Sequence, residues 1–290
     1  MPDLALLALT LLWGTSFLIV KRTLDTTSVG VFLVLRFAVA AAASGALAWA
    51  RHERPGPRLL RDGGLLGVAL FAGFVLQTEG LRFTTPARSG FLTGLSVLFV
   101  PFLERFLYGR RVPTLAWTGV ALAVIGLALL AGPYGHSTDI NVHLGDLLTV
   151  GCALAFSFQI IFTSQRSARH PLGLLTTVQL GTAGLLSLTM LPFETRMLAA
   201  SPHGMPAFLG VLAYCGIVTT TLAYLVQNWA QRRTTATRAA ILFTLEPVFA
   251  ALFSNVVGGE PLGASLLAGG GLIIVGVLVV ELVRGKDAPC

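Results

Sequence analysis

Long apolar runs alternate with short polar connections along the whole chain. Ten runs approach the roughly 20 residues that a helix needs to cross a bilayer. They fall at about 4–20, 29–50, 64–81, 86–107, 113–132, 145–164, 171–192, 206–228, 236–257 and 262–283. Turn formers and charges collect between them, most clearly in RHERPGPRLLRDGG at 51–64. The runs are continuous rather than alternating, so they predict helices and exclude a barrel of alternating segments of about ten residues. Lipid offers no partner to a free backbone amide, and a helix satisfies its own. The pattern therefore predicts an all-α membrane protein.

Composition sharpens this. Apolar residues make up 54% of the 290-residue chain and charged residues 11%, with a mean hydropathy of +0.80. A soluble domain carries about 25% charge, so too few charges are present to cover a water-facing surface. That excludes a soluble enzyme, a nucleic-acid-binding domain and a secreted disulfide scaffold. The net charge of +7 comes from 18 Arg and 2 Lys in short clusters between apolar runs, the usual signature of membrane orientation. Cys152, Cys215 and Cys290 lack CxxC spacing, and His52, His136, His143, His170 and His203 fall in predicted connections. Neither a metal site nor a cofactor is expected. The N-terminus has no basic n-region, and the first run ends in Lys21 and Arg22, which predicts an uncleaved first span.

Counting Lys and Arg by loop sets the orientation. The loops on the side of the termini hold fourteen, including Arg51, Arg110, Arg232 and Lys286; the opposite loops hold five, Lys21, Arg22, Arg82, Arg88 and Arg196. The excess places both termini in the cytoplasm.

The chain also matches itself at a shift of 150 residues. QTEGLRFTTPAR (77–88) falls on QNWAQRRTTATR (227–238), with Gln77, Arg82, Thr84, Thr85 and Arg88 identical to Gln227, Arg232, Thr234, Thr235 and Arg238. The register persists at Leu95/Leu245, Phe99/Phe249, Gly119/Gly269 and Gly126/Gly276. The reading is two five-helix repeats, 1–140 and 141–290. Five is odd, so the second repeat is inverted. The basic turn GRRVP (109–113) meets the uncharged-to-acidic GEPLG (259–263), as opposite membrane faces require. Many secondary transporters are built this way, with the substrate near the midplane where the repeats meet.

These features resemble the drug/metabolite transporter superfamily, in particular its ten-span EamA-type members. The matching stretches are LLWGTSF (11–17), the LRF around Arg36, TTPARSGFLTGLSVLFVPFLERFLYGRR (84–111) and LEPVFAALFSNVVGGEPLG (245–263). Within the superfamily the chain looks most like bacterial amino-acid and metabolite exporters of the inner membrane. The resemblance implies two five-helix bundles around a central cavity lined by spans 1, 3, 4, 6, 8 and 9, with spans 5 and 10 peripheral. It implies a small-molecule substrate and the lipid bilayer as partners, no nucleic acid, and a monomer or homodimer.

Polar groups inside spans are functional candidates, although many simply bond a neighbouring helix. Glu246 lies near the middle of span 9 beside Pro247, which frees the carbonyl of Phe243; it suits a cation, a proton or an amino group, or a structural bond at a kink. Arg36 suits a substrate carboxylate or an ion pair with Glu79 at similar depth. Gln77 and Gln227 occupy equivalent positions in the two repeats and suit gates or cavity walls. Ser16, Thr78, Ser89, Thr93, Gln159, Tyr224, Asn228 and Thr244 add polarity to the expected lining, and Trp13, Phe17 and Phe156 add rings. Pro101 and Pro247 are candidate hinges. Small faces on span 5 (Gly119, Ala123, Gly126) and span 10 (Ala264, Ser265, Ala268, Gly269) predict a close helix contact, within the chain or between two copies.

Three functions compete. A secondary transporter by alternating access fits the repeat, most readily an exporter of neutral or aromatic amino acids, with a multidrug or other metabolite exporter as the alternative. An intramembrane enzyme would need a set such as HExxH or GxSxG, and neither occurs. A channel remains the third reading.

Overall fold

The computed structural model describes residues 2–131, 140–194, 204–258 and 264–284. Among these, thirteen α-helices carry the fold: α1 Pro2–Thr23, α2 Val29–Ala50, α3 Leu59–Phe83, α4 Pro86–Gly94, α5 Ser96–Phe106, α6 Thr114–Ala131, α7 Ile140–Arg166, α8 Leu172–Ser187, α9 Gly204–Ala213, α10 Ala223–Gln231, α11 Ala236–Phe243, α12 Glu246–Gly258 and α13 Ala264–Arg284. A π-helical stretch, Tyr214–Leu222, joins α9 to α10, so the three make one continuous rod. Eight helical segments of the described residues are long and apolar enough to cross a membrane; α4–α5 and α11–α12 each count as one. Two shorter apolar helices, Thr114–Leu129 and Leu267–Val279, lie within α6 and α13. The GEPLG segment at 259–263, Arg196, Lys286 and Cys290 fall outside the described residues.

Contacts between helix ends sort the helices onto two faces. On one, Asp3 at the start of α1 bonds Arg238 at the start of α11 (3.1 Å). The same face holds Asp62 of α3 with His170 before α8 (2.9 Å), and Glu104 of α5 with Thr237 (2.7 Å). On the other, Lys21 at the end of α1 donates to the Leu81 carbonyl at the end of α3 (2.6 Å), Arg88 of α4 pairs with Asp146 of α7, and the Gly30 amide of α2 donates to Glu194 (2.6 Å). The helices run from face to face between these contacts.

The duplicated TTxxR segments fold into identical turns. Thr85 and Thr235 cap α4 and α11, each hydroxyl accepting the amide of the arginine three residues on, Arg88 or Arg238, at 3.2 Å; this satisfies an otherwise orphaned helix donor. Both following spans are interrupted at equivalent sites, where Leu95 and Leu245 turn back to the carbonyls of Leu92 and Leu242 at 3.2 Å. Pro247 sits just past the second interruption. Pro101 does not mark the first: α5 runs through it, and the break lies a turn and a half earlier.

α6 and α13 pack on each other at Gly119, Ala123, Gly126, Gly269 and Gly276, so this contact is internal; Ala264 and Ala268 of the expected α13 face are exposed, and the Ser265 side chain lies outside those described. A Cβ on Gly126 would sit 2.6 Å from the Gly269 carbonyl, and one on Gly276 would sit 2.8 Å from the Gly119 carbonyl. The contact is reciprocal because the 150-residue register relates Gly119 to Gly269 and Gly126 to Gly276. One histidine departs from expectation: His143 lies within α7. His170 lies in the connection before α8, as expected, and is buried against Asp62.

A central cavity between the repeats

α1, α3, α4–α5, α7, α10 and α11–α12 surround a cavity, and α2 adds Arg36 to its wall. Trp13, Ser16, Phe17, Gln77, Thr78, Thr93, Phe156, Gln159, Tyr224, Gln227 and Glu246 all line it. Ser89, Asn228, Thr244, Glu79, Pro101 and Pro247 do not; Asn228 donates to Thr176 and Gln179 of α8 instead. Ser89 is buried off the cavity, and the Thr244 hydroxyl donates to the Ile241 carbonyl of its own helix (2.6 Å).

Arg36 and Glu79 do not pair. Glu79 takes Arg82 one turn along α3 (2.9 Å), a contact its own helix supplies without crossing the bundle. Arg36 instead donates through Nε to the Thr220 hydroxyl (2.8 Å) and through Nη2 to the Thr219 hydroxyl (3.0 Å). Its guanidinium lies 4.6 Å from the Phe74 ring centre, a cation–π contact. The π-helical stretch makes this possible. Its widened turn bonds the Thr219 and Thr220 hydroxyls to the Cys215 carbonyl (3.1 and 2.7 Å) and leaves the Thr219 carbonyl to accept the Trp13 indole (3.1 Å). A π-bulge of this kind is common at functional sites. The run Thr219, Thr220, Thr221 in an apolar span was the available signal in the sequence.

The aromatic wall is a connected set. Trp13 packs on Phe243 (5.2 Å) and Tyr224 (5.8 Å), and Phe74 packs edge-on to Phe156 (5.7 Å). Gly73 leaves room for the Phe156 ring. The two equivalent glutamines have different surroundings. Gln77 donates to Thr93 (3.1 Å), whereas Gln227 is buried and donates to Gln159 (3.1 Å) and Gln231 (2.8 Å). Among the described residues, Glu246, on the first turn of α12, brings the one acidic side chain to the lining, and Arg36 brings the one basic side chain.

This apolar cavity with a few convergent polar groups, set between two copies of one helical unit, is where a small molecule would bind. The sequence signature of the EamA-like transporter family matches residues 1–132 and again 143–282, one copy for each unit. The chain belongs to the EamA-like transporter family. It is a multi-pass membrane protein and a membrane transporter. An uncharacterized transporter of Archaeoglobus fulgidus is 31% identical over 280 residues, covering 97% of this chain and 85% of that one. The uncharacterized inner membrane transporter YedA of Escherichia coli K12 is 24% identical, covering 96% and 90%. A solved crystal structure superposes with a TM-score of 0.79 at 23% identity, covering 100% of this chain and 99% of that one. It bears on the fold alone. Phe74, Ser96, Ile160 and Phe243 of this EamA-like chain also line the cavity. In sequence they are ordinary apolar or small residues of their spans, so nothing marked them.

Proposed function

We propose that the chain is a secondary transporter working by alternating access. Ten spans form two inverted five-helix repeats, both termini lie in the cytoplasm, and the protein exports neutral, chiefly aromatic amino acids across a bacterial cytoplasmic membrane. The observation that carries this reading is the cavity's charge balance: one carboxylate, Glu246, and one guanidinium, Arg36, among amides, hydroxyls and rings. Such a wall can meet both charges of a zwitterion and hold its side chain against Trp13, Phe17 or Phe156. A sugar phosphate brings two negative charges, and a single arginine would leave one uncompensated. The duplicated end contacts on opposite faces support the inverted arrangement. Discrimination among side chains should be loose, because an apolar wall separates substrates by only about 1–3 kcal/mol per methylene.

A second reading, export of amphipathic cations, draws on the same rings around the single carboxylate. Counterflow in proteoliposomes separates the two. Labelled phenylalanine, methionine or threonine should exchange saturably against unlabelled amino acid inside. Exchange of a lipophilic cation with none of the amino acids would replace the substrate class. Flux without counterflow would indicate a channel.

A further inference from the structure

Two ion pairs lie away from the cavity lining, Arg88 with Asp146 and Arg238 with Asp3. The arginines correspond by the 150-residue register. Asp3 and Asp146 correspond by a shift of 143. The same shift relates Trp13 to Phe156 and Ser16 to Gln159, four residues that face the cavity. The two pairs are thus one feature present twice. Each joins the start of the fourth span of one repeat, α4 or α11, to the first span of the other repeat, α7 or α1. One lies at each face of the molecule, and each arginine follows the same threonine cap.

We infer that Arg88–Asp146 and Arg238–Asp3 are the two gates of the transport cycle and that they break in alternation. The inference rests on the alternating-access reading above. Opening the cavity to one face requires the first span of one repeat to part from the fourth span of the other at that face. Each pair is a charged contact across one of those two seams. Their burial suits the task. The Arg238 and Asp3 side chains are 14% and 10% exposed, and those of Arg88 and Asp146 are 21% and 20% exposed. A fully exposed pair would contribute little; a pair at the midplane would leave two uncompensated charges on parting. Near a face, the parted groups gain water. Because the pairs are equivalent in position, breaking one while the other holds exchanges one ion pair for another, so a modest difference in substrate affinity between the two open states can shift the balance between them. Both pairs are formed here, as an intermediate closed to both faces would have them.

Cysteine chemistry tests the gates without requiring a known substrate. In a background with Cys152, Cys215 and Cys290 replaced by Ser, the reporter is Ser16→Cys in the cavity wall. It is probed with a membrane-impermeant thiol reagent in spheroplasts and in inverted vesicles. The reporter alone should label from both faces. A short, reducible bis-thiol cross-link between Arg88→Cys and Asp146→Cys should suppress labelling from that face at least tenfold and leave labelling from the other. The link between Asp3→Cys and Arg238→Cys should do the reverse, and reductant should restore both. Separately, Arg88→Ala and Arg238→Ala should shift the ratio of labelling from the two faces in opposite directions, and Arg88→Asp with Asp146→Arg should return it toward the parent value. Labelling from both faces that ignores the cross-links, or single variants that shift the ratio in the same direction, would overturn the gates alone. Labelling from only one face before any cross-link would overturn alternating access and the gates with it.

Discussion

At the residue scale, the cavity's two charges are held differently. Arg36 has its geometry fixed by Thr219, Thr220 and Phe74. A lysine keeps the charge but cannot make the same planar two-point contact. Arg36→Lys should therefore raise the apparent KM for exchange about tenfold, the effect of roughly 1.4 kcal/mol, with the protein still inserted and folded. Glu246→Gln keeps the shape and removes the charge. A charge-assisted hydrogen bond contributes about 1.5–3 kcal/mol, so counterflow should fall by tenfold or more; unchanged exchange would remove Glu246 from the binding site. The assignment of Glu79 to Arg36 shows where reading the sequence stops. Position along each span gives depth, and these residues have similar depth. Which way each side chain points around its helix decides the partner, and Arg82 is already one turn from Glu79.

At the element scale, glycines govern the contact between α6 and α13. The approach of α6 to α13 leaves no room for a side chain at Gly126 or Gly276, because the obstructing atoms are backbone carbonyls that cannot rotate away. Gly126→Val and Gly276→Val should each destabilise the protein by about 1–3 kcal/mol, lowering the thermal unfolding midpoint in detergent by similar amounts. Gly271→Val is the control, since nothing lies within 4 Å of its would-be Cβ, and it should leave the midpoint nearly unchanged. The small faces were legible in the sequence as spacing. Their partner was not, because a small-residue face fits another helix of the same chain as well as a second copy. The break at Leu95 was also hidden. Proline marks a lost donor wherever it occurs, yet α5 accommodates Pro101 and bends earlier, at the site matching Leu245 in the other repeat.

At the scale of the whole molecule, the helix-end contacts require α1 to begin on the face where α10 ends and α11 starts. The larger share of arginine belongs to that face, including Arg61, Arg166 and Arg232. A reporter active only outside the cytoplasm and fused after Cys290 should give no signal, whereas one inserted after Asp25, in the turn between α1 and α2, should give a strong one. The reverse pattern would invert the proposed orientation. The asymmetry between faces extends to packing. At the Arg88–Asp146 face, α3 and α7 meet through Gly80 and Gly145, where a Cβ on Gly80 would sit 2.8 Å from the Gly145 carbonyl. The corresponding positions at the other face hold Ala230 and Pro2.

The sequence by itself determined the solvent, the helical class, the extent of most spans and the duplication. Each follows from local composition or from a match along one dimension: lipid demands long apolar helices, and a repeat survives as a fixed offset. It also singled out Glu246, Arg36 and the aromatic residues as candidates, since polar groups stand out in an apolar run. Tertiary structure alone decided which candidates share a wall, that a π-helical stretch aims two threonines at Arg36, and that Asp3 and Asp146 meet the arginines of the opposite repeat. Those outcomes depend on how each helix is rotated and on contacts between residues separated by 58 to 235 positions, and no pattern along the chain encodes them.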